Sequence, residues 1–150
     1  MTVPVEIIVR GTPVAQGSKR VVGAGAGKAR AIETNAHRLA PWRSTVSAAA
    51  VYAMDGADPI SGPVHVSVDF TFARPQHHFG SGRNAERLKP SAPTYRANAP
   101  DLDKLLRAVF DGLTGIVFRD DAQVAVVTAS KRYGSPAARI LVHALKGEPA

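Results

Sequence analysis

Residues 63–72, PVHVSVDFTF, alternate in polarity over their whole length. In an extended chain Val64, Val66, Val68, Phe70 and Phe72 share one face, and His65, Ser67, Asp69 and Thr71 share the other. A strand with one wholly apolar face must be covered by a second layer. A second periodicity lies at 102–113, where Leu102, Leu105, Leu106, Val109, Phe110 and Leu113 recur at helical spacing. It predicts an amphipathic helix of about three turns, stopping near Gly112 or Gly115.

Weaker signals fill in the rest. Residues 3–10, VPVEIIVR, read as a first strand; AQVAVVTASKRYG and AARILVHAL read as two more, joined by the turn GSPA. The alanine-rich stretch 38–54 suits a helix beginning near Pro41, with Trp42, Val46, Ala49, Ala50 and Ala53 on one side. Trp42 is a packing anchor in this reading, and His65 and His143 are structural. With neither a repeat nor a linker, 150 residues form a single domain, residues 1–150.

Composition narrows the class of function. Hydrophobic residues make up 45% and charged residues 21%, a globular balance. No stretch reaches the about 20 apolar residues of a membrane helix. The opening MTVPVEIIVRGTP reads as a strand rather than a signal peptide. The chain has no cysteine, so disulfides, thiolate metal sites and cysteine nucleophiles are excluded, and a cytoplasmic protein fits. The formal charge of +7 and pI near 10.3 point to a polyanionic partner, nucleic acid ahead of membrane. Arg10 to Arg43 holds seven Lys and Arg against one acid, whereas Asp101 to Asp121 holds five aspartates.

Two tempting motifs fail. GAGAGKAR, 23–30, has Ala29 where a phosphate loop needs Ser or Thr, and Val22 where it needs glycine, so no nucleotide cofactor is inferred. It reads as a glycine-rich loop tip between extended arms. His77 and His78 lack a partner at metal-ligand spacing and read as exposed loop residues. They lie in the long polar connection 73–100, where Arg74, Arg83, Arg87, Lys89 and Arg96 can follow a phosphate backbone and Phe79 and Tyr95 can stack on bases.

The remaining signal is PDLDKLLRAVFDGLTGIVFRDD, residues 100–121. Asp101, after Pro100, occupies a natural N-cap, whose extended backbone lets its carboxylate converge with that of Asp103 near the first turn. Unpaired N–H groups and the helix dipole favour negative charge there. Gly115 permits a reversal, IVF reads as a short strand, and RDD as a turn that brings Asp120 and Asp121 back toward the helix start. Carboxylates gathered in this way need a hard divalent cation, Mg²⁺ or Mn²⁺, which can hold a phosphate oxygen and activate water.

PDLDKLLRAVFDGLTGIVFRDDAQV followed by KRYG resembles the RusA-like Holliday junction resolvases, whose signature is DxD opening a helix and DD after the next short strand. GTPVAQGSKRVV and the helix with PWR extend the resemblance over most of the chain. It implies an α/β (α+β) fold, a mixed β-sheet packed with two main helices, in a homodimer. It also implies a Mg²⁺-dependent, structure-selective endodeoxyribonuclease acting on four-way junctions in DNA recombination and repair. By resemblance the metal ligands are Asp101, Asp103 and Asp121, with Asp120 at the neighbouring acid position. The family pattern has Asn and Lys where this chain has Lys104 and Arg107. Arg107 keeps a charge that stabilises phosphate but does not trade a proton, a role that falls to Lys104. Lys19, Arg20, Lys131 and Arg132 are candidates for positioning DNA. The competing readings are a non-catalytic branched-DNA-binding protein and a metal-dependent nuclease for flaps, forks or RNA.

Overall fold

A computed structural model of the protein describes residues 3–17, 19–24, 28–33 and 36–146. In chain order its elements are β1 (Val5–Arg10), β2 (Lys19–Ala24), β3 (Lys28–Glu33), α1 (Ala36–Met54), β4 (Val64–Phe72), α2 (Leu102–Leu113), β5 (Val124–Tyr133) and β6 (Ala137–Ala144). Four strands form one mixed sheet in the order β1-β6-β4-β5, and β2 and β3 form a separate antiparallel hairpin. The tip of that hairpin, 25–27, falls outside the described residues.

Strand β4 obeys its alternation. Val64, Val66, Val68, Phe70 and Phe72 are all buried, and the polar set is half-buried or exposed. The helices cover that face. Helix α2 buries Leu105, Ala108, Val109, Gly112 and Leu113. Gly112 lies at the crossing with α1: a Cβ there would stand 2.7 Å from Val46 Cγ1. Ser47 Oγ donates to the Gly112 carbonyl at 2.7 Å, fixing the helices in register. Trp42 is buried in the same layer, as its side of α1 predicts.

Two elements differ from the sequence expectation. Helix α1 starts at Ala36, so its first turn precedes Pro41. A proline there removes only one bond of the ladder, and buried Leu39 anchors the preceding turn. Residues 116–118 form a tight turn with isolated bridges rather than a strand. Gly115, at φ +84°, donates to the Phe118 carbonyl at 2.7 Å, and Val117 and Phe118 plug the core instead of joining the sheet.

Strand direction has a consequence for the acidic residues. Strands β4 and β5 are parallel, so α2 must run back against them. Its start then lies at the carboxyl ends of β4 and β5, and the residues that follow it lie at their amino ends. Asp101 belongs to the first end, Asp120 and Asp121 to the second.

Candidate active site

At the carboxyl ends of β4 and β5 the long connection 73–100 is clamped before α2 begins. The Lys131 ammonium donates to the carbonyls of Asn98 and Pro100 at 2.8 Å each. Arg96 donates from Nε and Nη2 to the Ala99 carbonyl at 2.9 and 2.7 Å. Its own backbone N–H reaches the Lys131 carbonyl, and its guanidinium lies 4.7 Å above the Phe72 ring. Two cations thus fix the three residues before Asp101, and with them the entry angle of the helix.

Asp101 has the extended backbone of an N-cap, φ −69° and ψ 139°, but its side chain makes no capping bond. Its carboxylate is exposed and faces Lys104 Nζ at 3.7 Å. Asp103 is exposed in the first helical turn. Both acids sit where the helix dipole stabilises negative charge. A cavity of about 610 Å³ adjoins Asp101, with Phe72 and Pro100 on its apolar side and Arg38, Arg96, Lys104 and Asp101 among its charged lining. A concave site with an apolar side and three cations among its lining suits an anionic ligand that carries an apolar part.

Further along α2 the roles diverge. Arg107 is exposed, and its guanidinium lies against Gly17, where an added Cβ would come within 2.6 Å of Nη1. The Gln16 backbone N–H donates to the Lys104 carbonyl at 3.0 Å. Asp111 accepts from Gln16 Nε2 and pairs with Arg43 Nη1 at 3.7 Å, a clasp between α2, α1 and the segment after β1. It therefore holds elements together, away from the exposed acid pair.

The expected return of Asp120 and Asp121 to the helix start does not occur within one chain. The twelve-residue helix α2 lies between Asp101 and Asp120, an axial length of about 18 Å. Among the described residues, no group of three or more Asp, Glu or His is placed to hold one ion. Asp120 instead caps a 3₁₀ turn, Asp121–Gln123: its Oδ1 accepts the Ala122 N–H at 2.9 Å, and Gln123 Oε1 accepts the Asp120 N–H at 3.1 Å. The Asp121 side chain is exposed beside it.

The cationic candidates also separate. Lys131 is occupied by the clamp. Arg132 is exposed, with its guanidinium 5.0 Å from the Tyr95 ring centroid. Lys19 and Arg20 lie on β2, and their side chains fall outside the described residues. His77 is exposed as expected, but His78 is buried, its ring edge-on to Tyr133 with centroids 4.8 Å apart. Arg74 approaches its Nδ1 at 3.4 Å and donates to the Pro93 carbonyl at 2.7 Å. Burial, reinforced by the nearby charges of His77, Arg74 and Lys89, lowers the His78 pKa. His78 is thus a neutral packing residue of the long connection. Neither the Arg96–Lys131 clamp nor the Gln16 clasp has a motif that announces it; only the fold brings the partners together.

Among the described residues no helix is long and apolar enough to cross a membrane. The family model described as Endodeoxyribonuclease RusA matches residues 10–143. No curated protein matches the chain. The match covers both acid pairs, the clamp, strands β4 and β5 and β6 as far as His143, leaving out all of β1 but Arg10, and the chain belongs to the RusA endodeoxyribonuclease family.

Proposed function

We propose that this RusA-family chain is a Mg²⁺-dependent endodeoxyribonuclease that resolves four-way DNA junctions during recombination and repair in the cytoplasm, working as a homodimer. The observation that carries the reading is the exposed pair Asp101 and Asp103, held at a helix N-terminus by a cationic clamp beside a charged cavity, in a chain of this family.

The donor set is all oxygen, which suits Mg²⁺ or Mn²⁺ rather than zinc. Asp101, Asp103 and Asp121 are the proposed ligands, with Asp120 supporting Asp121 through its turn. A single chain presents these donors at two ends of α2 and so falls short of a complete set. When bound, the ion would polarise a phosphoryl oxygen and lower the pKa of a coordinated water.

The chain's own cations do the rest. Lys104, 3.7 Å from Asp101, is placed to hold a phosphate oxygen and to give a proton to the departing 3′ oxygen. Arg107, one turn further along, supplies a fixed positive charge against the charge that builds on phosphorus. Arg132 with Tyr95 offers a stacked cation for the DNA backbone, and Lys19 and Arg20 remain candidates on the basic hairpin. A C₂ dimer would present two equivalent sites to the two-fold-related strands of a junction.

The test is a labelled four-way junction incubated with purified protein in Mg²⁺ and in EDTA, beside linear duplex, flap, fork and RNA substrates at fixed salt. The reading expects paired, symmetric nicks in the junction in Mg²⁺ and none in EDTA. Retention without cutting in any divalent metal would favour the non-catalytic binder, and preferential cutting of flaps, forks or RNA would favour the other nuclease.

A further inference from the structure

We propose that Gln16 and Gly17 form a seat for Arg107, in which Gln16 is a positioning residue that holds Gly17 under the guanidinium. The seat follows from the geometry of the chain; its catalytic consequence rests on the endonuclease reading.

Lys104, Arg107 and Asp111 stand at i, i+3 and i+7, so they form one stripe along α2, about 10 Å from end to end. Two consecutive residues meet all three. The Gln16 N–H donates to the Lys104 carbonyl at 3.0 Å. Gly17 lies against the Arg107 guanidinium. The Gln16 side chain reaches the far end of the stripe, where its Nε2 donates to Asp111 Oδ2. Its Oε1 accepts from Arg43 Nη1 of α1 at 3.1 Å. Just before it, Val14 and Ala15 are buried in the core. The segment is thus anchored in the core on one side and on both helices on the other, before β2 begins at Lys19.

Glycine is required at position 17 on two counts. Its φ of +98° lies where an L side chain is strained. A Cβ would also stand 2.6 Å from Arg107 Nη1 and 3.4 Å from Cζ. The space left by the missing side chain is the space that the guanidinium uses. An exposed arginine otherwise gives up rotamer freedom each time it meets a phosphate. Held against Gly17, its charge stands in place beforehand, and charge arranged in advance stabilises a transition state most. The Arg96–Lys131 clamp sets the acids at the start of α2; the Gln16–Gly17 seat sets the cation that follows them.

Gly17→Ala fills the space. Single-turnover junction nicking in Mg²⁺ should fall by about 10- to 10²-fold, with junction affinity within about twofold of wild type. In an Arg107→Ala background the same change should alter the rate by less than about twofold, because the seat then has nothing to hold. Equal fold losses in both backgrounds would make Gly17 a purely structural glycine and overturn the proposal. A fall in affinity as large as the fall in rate would mark a DNA contact and overturn it too.

Gln16→Glu sets a second carboxylate against Asp111 and should slow nicking. Adding Asp111→Asn gives that carboxylate a donor again, and the rate should return to within about threefold of wild type. A pair that recovers nothing removes Gln16 from the positioning role.

The Arg107 side chain reports on the seat without any cutting. Its Nε–Hε resonance, identified by its loss in Arg107→Ala, should show a high heteronuclear NOE in the wild type and a low one in Gly17→Ala. Equal values in the two proteins overturn the seat. A wild type that cuts no junction but shows this difference refutes the endonuclease reading and leaves the seat standing.

Discussion

Replacing Lys131 by methionine separates two roles for one cation. The sequence offers Lys131 as a contact to DNA phosphate; in the fold its ammonium bridges the Asn98 and Pro100 carbonyls at 2.8 Å each. A hydrogen bond to a charged donor contributes about 1.5–3 kcal/mol when buried. This site is only partly buried and water can replace the ammonium, so the two together contribute about 1–2 kcal/mol. For a chain of this size that is a fall in Tm of roughly 2–8 °C. The larger effect falls on Asp101, whose position the clamp sets. A displacement of about 1 Å at a reacting centre costs about 10²-fold in rate. The assay is single-turnover junction nicking in Mg²⁺, with junction affinity measured across a salt series. A clamp predicts a rate about 10²-fold lower with the salt dependence unchanged. A phosphate contact predicts the reverse, a slope of log K against log salt reduced by about 0.9 with little loss of cutting rate. The second pattern would refute the clamp.

Gly112→Ala drives a Cβ to 2.7 Å from Val46 Cγ1 and 2.9 Å from Val46 Cβ. Overpacking of about 1–3 kcal/mol exceeds the about 1 kcal/mol gained in helix propensity, so urea unfolding should show a net loss, partly relieved when Val46→Ala is added. His78 has a lowered pKa in the fold, so the unfolded chain takes up its proton first. Stability contributed by this group is present above the ordinary histidine value of about 6.5 and is lost as pH falls through it. His78→Phe should therefore flatten the fall in Tm between pH 7.5 and 5.5; an unaltered slope would contradict the assignment.

Local periodicity made β4 and α2 legible, because one buried face leaves an unambiguous mark at a period of about 2 or about 3.6 residues. The N-cap position of Asp101 was legible for a similar reason, since the extended backbone after Pro100 is a local property, although its side chain makes no capping bond. Strand order is not local. Nothing in GIVFRDD states that β5 runs parallel to β4, and that direction sends Asp120 and Asp121 to the far end of α2. The burial of His78 was hidden in the same way: it depends on Tyr133, fifty-five residues away in sequence, and on Arg74 folding over it. Val117 and Phe118 looked like strand residues because β-branched and aromatic side chains suit a strand and a core plug equally well.

The most direct measurement compares junction binding and junction cutting by Asp103→Asn. Asp103 is exposed, and among the described residues its side chain supports no packing and no hydrogen bond, so the variant should fold as the wild type does. Junction affinity should equal or exceed that of the wild type, with Mg²⁺-dependent nicking abolished. Wild-type cutting by Asp103→Asn would contradict it, and would move the chemistry away from the start of the second helix.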